Sequence, residues 1–259
     1  MWKVNCIMAL NNLRELFAFR FDAFSKLVAF PLQLGLMYFL WKYVISEVDS
    51  GFNLEFVVGY YSLILVLSVQ FPFIRLANDI QSKVITGDYF RNIVSGISLT
   101  REHFVEFIVK ASWFNLFAIP VALCIFHFVS GAAIQPVKLV FFLINVQLGS
   151  LILFFVWMLV GLTAFRLVVN HGLSSLIFNL QRLCIGAIMP LSVLPELANK
   201  LIMLTPFPYA FYLAIESYIS NSYEPYILIL WQLAWVIGLG AVTITYESYA
   251  TKKFELGMV

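Results

Sequence analysis

The stretch "LVFFLINVQLGSLILFFVWMLVGLTAF", Leu139 to Phe165, contains no charged residue. A helix of about 20 predominantly apolar residues is long enough to cross the hydrocarbon core of a bilayer. This run of 27 residues is longer than that. The stretch therefore predicts the fold class, an all-α integral membrane protein.

The composition of the whole chain agrees with this class. The 259 residues are 62% hydrophobic and 12% charged, with a mean hydropathy of +0.91, whereas a soluble domain is about 25% charged. A sixth span, less apolar than the others, is predicted at Gly172–Pro195, which carries Arg182. The chain is interpreted as a single transmembrane domain, residues 1–259, whose other spans are predicted at Leu27–Ile45, Phe56–Ile74, Ala111–Ile134, Leu139–Phe165 and Pro225–Tyr246.

The distribution of basic residues predicts the orientation. Lys42, Lys138 and Lys200 fall on one side of the predicted membrane. The other side, which carries both termini, is predicted to be cytoplasmic because cytoplasmic loops are rich in Lys and Arg. A formal net charge of +2 is too small to indicate a nucleic-acid partner. The basic residues on the predicted cytoplasmic side are Lys3, Arg14, Arg20, Lys26, Arg75, Lys83, Arg91, Arg101, Arg166, Lys252 and Lys253.

Three segments lie outside the predicted spans. Residues 1–25 repeat apolar side chains every three or four positions, which predicts an amphipathic helix at the membrane interface. Residues 75–106 form a polar cytoplasmic connection after the second span, in which Gly87 is a predicted helix stop. Residues 195–225 combine prolines with apolar side chains, which predicts short helices folded back into the outer leaflet as a candidate outer gate, with Pro195, Pro206, Pro208 and Phe211.

No motif for catalysis or metal binding is found. The chain has no phosphate-binding loop, no H-E-x-x-H, no C-x-x-C and no G-x-S-x-G, and its three histidines lack ligand spacing. We therefore expect no catalytic residue, metal or cofactor in this chain. The predicted spans hold almost no Asp or Glu, so a proton-coupled carrier would lack its usual relay.

The order of these features resembles the membrane subunit of ABC-2 type ABC transporters. The likeness is carried by "VITGDYFRNIVSGIS", where Ile85, Gly87 and Asp88 match a family element, although Ser95 and Gly96 stand where the family usually has a basic residue and a proline. It is carried further by "MPLSVLPELANKLIMLTPFPYAFYLAIESYI", 189–219, and by the C-terminal "LWQLAWVIGLGAVTITYESYATKKFELGM".

The resemblance implies a permease subunit of a bacterial exporter in the cytoplasmic (inner) membrane. It implies a dimer with an identical or homologous permease, and separate ABC ATPase subunits that hold ATP and Mg. The connection would then be a coupling helix that docks on the ATPase through apolar anchors and charges. The residues assigned to coupling are Asp79, Lys83, Gly87, Asp88, Arg91, Arg101 and Glu102.

Other classes stay open at this point. A gradient-driven secondary transporter or channel is the main alternative, followed by a membrane-bound enzyme and by a structural subunit of a membrane complex. Two roles compete for Arg182: it either lines the translocation path, or it only orients its helix by snorkelling or by pairing with carbonyls or with the amides of Asn179 and Gln181.

Overall fold

The computed structural model describes residues 2–18, 20–47, 54–131, 135–167, 169–220 and 224–256. All regular structure in these ranges is helical. The α-helices are α1 Trp2–Ala18, α2 Arg20–Glu47, α3 Leu54–Val69, α4 Phe73–Thr86, α5 Tyr89–Ser95, α6 Leu99–Ser130, α7 Pro136–Leu162, α8 Ala164–Leu167, α9 His171–Cys184, α10 Glu196–Met203, α11 Tyr212–Ile219 and α12 Pro225–Leu256. A short 3₁₀ turn at Leu191–Val193 separates α9 from α10.

Five helical stretches are long and apolar enough to cross a membrane. They correspond to five of the six predicted spans, and they indicate a multi-pass, all-α membrane protein. The sixth predicted span is not among them, because α9 has 14 residues and a membrane-spanning helix needs about 20. The five stretches are Val28–Glu47, Leu54–Thr86, Leu99–Val129, Pro136–Leu167 and Pro225–Lys252.

Helix α7 occupies the centre of the bundle. It packs against α12, α4 and α11, and Phe154 and Trp157 near its end are fully buried. At Gly161 an added Cβ would lie 2.6 Å from Cδ1 of Ile80. The missing side chain therefore lets α4 lie directly against the end of α7, which fixes the start of the connection on the core.

Helix α11 packs against the opposite half of α7. An added Cβ at Gly149, near the middle of α7, would overlap the carbonyl oxygen of Ala210, just before α11. At the end of α11, the Tyr218 ring centroid is 4.8 Å from that of Phe142 near the start of α7. Helix α11 thus runs alongside the first half of α7, and it ends where Nε2 of His127 lies 2.8 Å from Oη of Tyr218.

The connection at residues 75–106 is almost wholly helical. Helix α4 ends at Thr86, and Gly87 has the left-handed φ of 79°, as predicted for a helix stop. A second left-handed glycine, Gly96 with φ 65°, ends α5. Helix α6 then begins at Leu99, twelve residues before the predicted third span. Ser98 caps this helix, because its side chain accepts a hydrogen bond from the backbone amide of Arg101. The connection is therefore three helices joined by two tight turns.

Candidate functional site at the connection

The inward face of α5 is attached to the last helix and to α6. Tyr89 is 3% exposed, its Oη lies 2.6 Å from Oγ1 of Thr251 on α12, and its ring is 4.9 Å from that of Phe165. Asn92, one turn later, donates through Nδ2 to Oε2 of Glu102 at 2.7 Å. Because two buried polar side chains hold this face, α5 has a defined orientation on the bundle.

The outward face of α5 carries apolar and charged side chains together. Phe90 and Val94 are 41% and 88% exposed, and their spacing of four residues places them on one side of the helix. Asp88 and Arg91 are also exposed, and Asp88 Oδ2 accepts a hydrogen bond from Thr86 Oγ1 at 2.9 Å. We call Asp88, Phe90, Arg91 and Val94 the exposed α5 face.

A partly buried lysine, Lys83, joins α4 to α6. Nζ of Lys83 lies 3.3 Å from Oδ2 of Asp79 and 3.0 Å from Oε1 of Glu102, and only 13% of the lysine side chain is exposed. His103, which is 2% exposed, has Nε2 3.5 Å from Oδ2 of Asp79 and Nδ1 3.3 Å from Oε2 of Glu106. These contacts hold the two long helices of the connection together.

Helix α1 is attached to the same part of α6. The guanidinium of Arg101 donates to Oδ1 of Asn5 at 3.1 and 2.8 Å, and Nζ of Lys110 lies 3.0 Å from Oε2 of Glu15. Since successive residues of α1 meet successive residues of α6, the two helices run side by side in the same direction. The sequence pattern predicted the helix but not its partner.

Glu247 on α12 closes the N-terminus of α6. Its Oε1 accepts from the backbone amide of Leu99 at 2.6 Å, and its Oε2 accepts from Oγ1 of Thr100 at 2.5 Å and from the amide of Thr100 at 3.3 Å. The first amides of a helix have no partner within the helix, and the positive end of the helix dipole favours a carboxylate. Glu247, 6% exposed, satisfies both requirements.

Sequence reasoning missed Glu247. The last predicted span ends at Tyr246, and the sequence pattern assigns no role to the acidic residue that follows. A usable signal was present, because an ionisable residue at the end of an apolar run must find a partner or water. Only the fold identifies that partner as the start of α6.

The structure divides the predicted coupling residues into two groups. Asp79, Lys83, Arg101 and Glu102 make the contacts among α1, α4 and α6 described above. Asp88 and Arg91 lie on the exposed α5 face, beyond the turn at Gly87. The first group thus makes contacts within the bundle. The second is exposed, although Arg91 also lines a small cavity beside Met8 and Glu102.

Arg182 lies in the last turn of α9 and is exposed. Its guanidinium carbon is 5.8 Å from the centroid of the Phe178 ring. The two amides considered as its partners bond elsewhere in the described structure: Gln181 Oε1 accepts from Nε1 of Trp157, and Asn179 Nδ2 donates to the Ser175 carbonyl. His171, Ser175 and Asn179 are also exposed and, with Arg182, form a polar stripe at helical spacing. Exposed Leu176 and Leu180 lie beside this stripe.

The predicted gate residues lie around α10 and α11. Pro195 immediately precedes α10 and is exposed, Pro206 is half-buried, and Pro208 is buried. Phe211 is fully buried where α11 begins. Among the described residues, no hydrogen bond, ion pair or ring contact joins these residues, or Arg182 on α9, to the connection.

Within the described ranges, no group of three His, Cys, Asp or Glu residues is arranged to hold a metal ion. No protein-family model matches the chain, and neither a curated protein nor a solved structure is significantly similar to it.

Proposed function

We propose that this chain is the permease subunit of an ATP-driven ABC exporter, forming the translocation path as a dimer and energised by separate ATPase subunits. The observation that carries the proposal is the exposed α5 face: an apolar pair, Phe90 and Val94, flanked by Asp88 and Arg91. Apolar side chains are suited to fill a partner's cleft, while the charges select the partner and its register.

The inward attachments of α5 suit a transmitting role. A displacement of α5 would be transmitted to α12 through the contact between Tyr89 and Thr251. It would be transmitted to α6 through the hydrogen bond between Asn92 and Glu102. Both α6 and α12 contain stretches long enough to cross the membrane. In this proposal, docking of the ATPase on α5 moves these two helices together.

We place the chain in a bacterial inner membrane, which it would cross six times, with both termini in the cytoplasm. The fifth crossing would combine α9 with the irregular segment that follows it. Backbone groups inside a bilayer must be satisfied by protein where the helix is interrupted. Here Tyr60 donates to the Gly186 carbonyl at 3.1 Å and Tyr61 donates to the Ile188 carbonyl at 2.9 Å, which is what such a crossing requires.

The polar side of α9 supports a place for Arg182 on the translocation path. An arginine near the middle of a membrane helix costs on the order of 2.5 to 3.5 kcal/mol on insertion scales. His171, Ser175, Asn179 and Arg182 share one polar stripe of α9, so this stripe is better suited to water or a second permease subunit than to lipid, while exposed Leu176 and Leu180 lie beside it. α10 and α11 would form the outer gate above this path.

The test is ATPase activity that copurifies with the tagged chain from its native membranes. Because Val94 is 88% exposed, Val94→Glu should leave the fold intact while removing an apolar anchor and adding a charge. We expect a loss of at least about tenfold in copurifying ATP hydrolysis, since anchor residues contribute 2 kcal/mol or more. The matched control Val94→Ile keeps the apolar contact and should retain the activity.

Equal ATPase activity with Val94→Glu and Val94→Ile would contradict docking on α5. Thermal unfolding of the three purified proteins separates this outcome from misfolding. A wild-type preparation with no associated ATP hydrolysis would contradict the proposed function itself.

A gradient-driven transporter or channel is the second candidate, and one observation favours it. Glu216 on α11 is 7% exposed, and its Oε2 accepts a hydrogen bond from Oγ of Ser220 at 2.8 Å. A buried carboxylate among membrane helices is a common element of ion pathways. Transport by the purified chain alone in liposomes under an ion gradient, lost in Glu216→Gln, would select this candidate over the ABC permease.

A further inference from the structure

We infer that the groove between α5, α6 and α12 is a binding site for an anionic phospholipid. The groove has a volume of about 760 Å³, within the range of about 300 to 1,000 Å³ typical of ligand sites. It lies on the side of α5 opposite to the exposed α5 face, so the inference does not rest on the proposed function.

The two ends of the groove differ in chemistry. Phe104, Phe155 and Ile244 line one end, and all three belong to helices that are long and apolar enough to cross a membrane. Phe104 and Ile244 are 37% and 58% exposed. An acyl chain that leaves the bilayer interior would meet apolar surface at this end.

The other end of the groove is cationic. Lys252 lies there, eight positions after Ile244 on α12, which corresponds to about 12 Å along the helix axis, and Arg101 lines the groove one turn before Phe104 on α6. The spacing matches a phospholipid whose phosphate meets the lysine while its first methylenes pass Ile244. Basic residues at a membrane surface attract anionic lipids by about 1 kcal/mol each.

The acidic residue of the groove, Glu247, does not neutralise the cationic end. Glu247 also lines the groove, but its carboxylate is 6% exposed and is occupied by the amides of Leu99 and Thr100 and by the Thr100 hydroxyl. Lys252 is exposed, and Arg101 also donates to Oδ1 of Asn5. Charge complementarity therefore favours an anionic occupant over a zwitterionic one.

The test measures lipid adducts on the full chain in detergent by native mass spectrometry. Phosphatidylglycerol and phosphatidylcholine are added separately at equal concentration, and we expect the wild type to retain phosphatidylglycerol preferentially. Lys252→Gln should weaken its binding about fivefold, which is the loss of one such attraction. Ile244→Trp should weaken it as well, because the larger ring occupies the path of the acyl chain.

Each of the two substitutions has a control that makes the same change of residue type outside the groove. Val242→Trp places the same ring on α12 at a residue that is 52% exposed and does not line the groove, and Lys138→Gln removes a lysine near the start of α7. Both controls should bind phosphatidylglycerol as the wild type does.

Four outcomes would overturn the inference. Three of them are equal retention of the two lipids by the wild type, a loss in Val242→Trp as large as in Ile244→Trp, and unchanged binding in Lys252→Gln. Displacement of phosphatidylglycerol by an equal concentration of glycerol phosphate would also overturn it, because the groove would then recognise the phosphate without the acyl chain.

Discussion

The carboxylate of Glu247, near the end of α12, accepts a hydrogen bond of 2.6 Å from the backbone amide of Leu99, the first residue of α6. This contact joins residues 148 positions apart, and it lies beside the link between Tyr89 and Thr251. The start of α6, the short helix α5 and the end of α12 are therefore held as one unit at this end of the bundle.

Replacement of Glu247 by glutamine should destabilise this unit. The substitution removes the charge that faces the α6 N-terminus, and a hydrogen bond to a charged group contributes about 1.5 to 3 kcal/mol. We expect a loss of about this size in the free energy of unfolding, measured in mixed micelles. Glu196→Gln is the control, because its side chain is 83% exposed in a surface pair with Lys200 and such pairs contribute little. Equal losses in the two variants would contradict the capping role of Glu247.

Replacement of Gly149 by alanine should disturb the packing of α11 on α7. The added methyl group would overlap the Ala210 carbonyl oxygen, so the two segments must separate, and overpacking of this kind costs about 1 to 3 kcal/mol. In Gly238→Ala the new Cβ meets nothing within 4 Å. Thermal unfolding in detergent should show a lower midpoint for Gly149→Ala alone, and similar midpoints would mean that Ala210 does not lie against α7.

Cysteine labelling in intact cells tests the orientation predicted from the basic residues. In a chain with Cys6, Cys124 and Cys184 replaced by alanine, a cysteine at Gln135 should react with a membrane-impermeant maleimide, and one at Ser95 should not. Both positions are exposed, so accessibility within the protein does not separate them. Labelling at Ser95 but not at Gln135 would reverse the topology and the assignment of α5 to the cytoplasm.

Substitution of Arg182 tests the role of the polar side of α9. If its charge serves the translocation path, Arg182→Lys should retain transport-coupled ATP hydrolysis and Arg182→Gln should lose it, measured on complexes purified at matched expression. Because Arg182 contacts Phe178 through its cationic head, lysine is the closest substitute for that charge. Equal activity in the three proteins would leave Arg182 only a role in orienting α9.

The sequence alone was enough to predict the class and much of the helical layout. Five charge-poor runs correspond to the five helical stretches that can cross a membrane, because the length of an apolar run is a local property that burial in lipid makes decisive. The helix stop at Gly87 was equally local, since glycine adopts the left-handed φ at little cost. These features depend on a residue and its near neighbours.

The tertiary structure alone decided which polar groups meet. The charged residues of the connection look alike in the sequence. The packing of α4, α5 and α6 against one another decides which of them have partners inside the bundle and which lie on the exposed α5 face. Glu247 finds the α6 N-terminus, and the segment after α9 finds Tyr60 and Tyr61, only because distant helices pack together. Hydrophobic periodicity carries no information about such pairings, since a hydrogen bond depends on distances of about 3 Å between groups far apart in the chain.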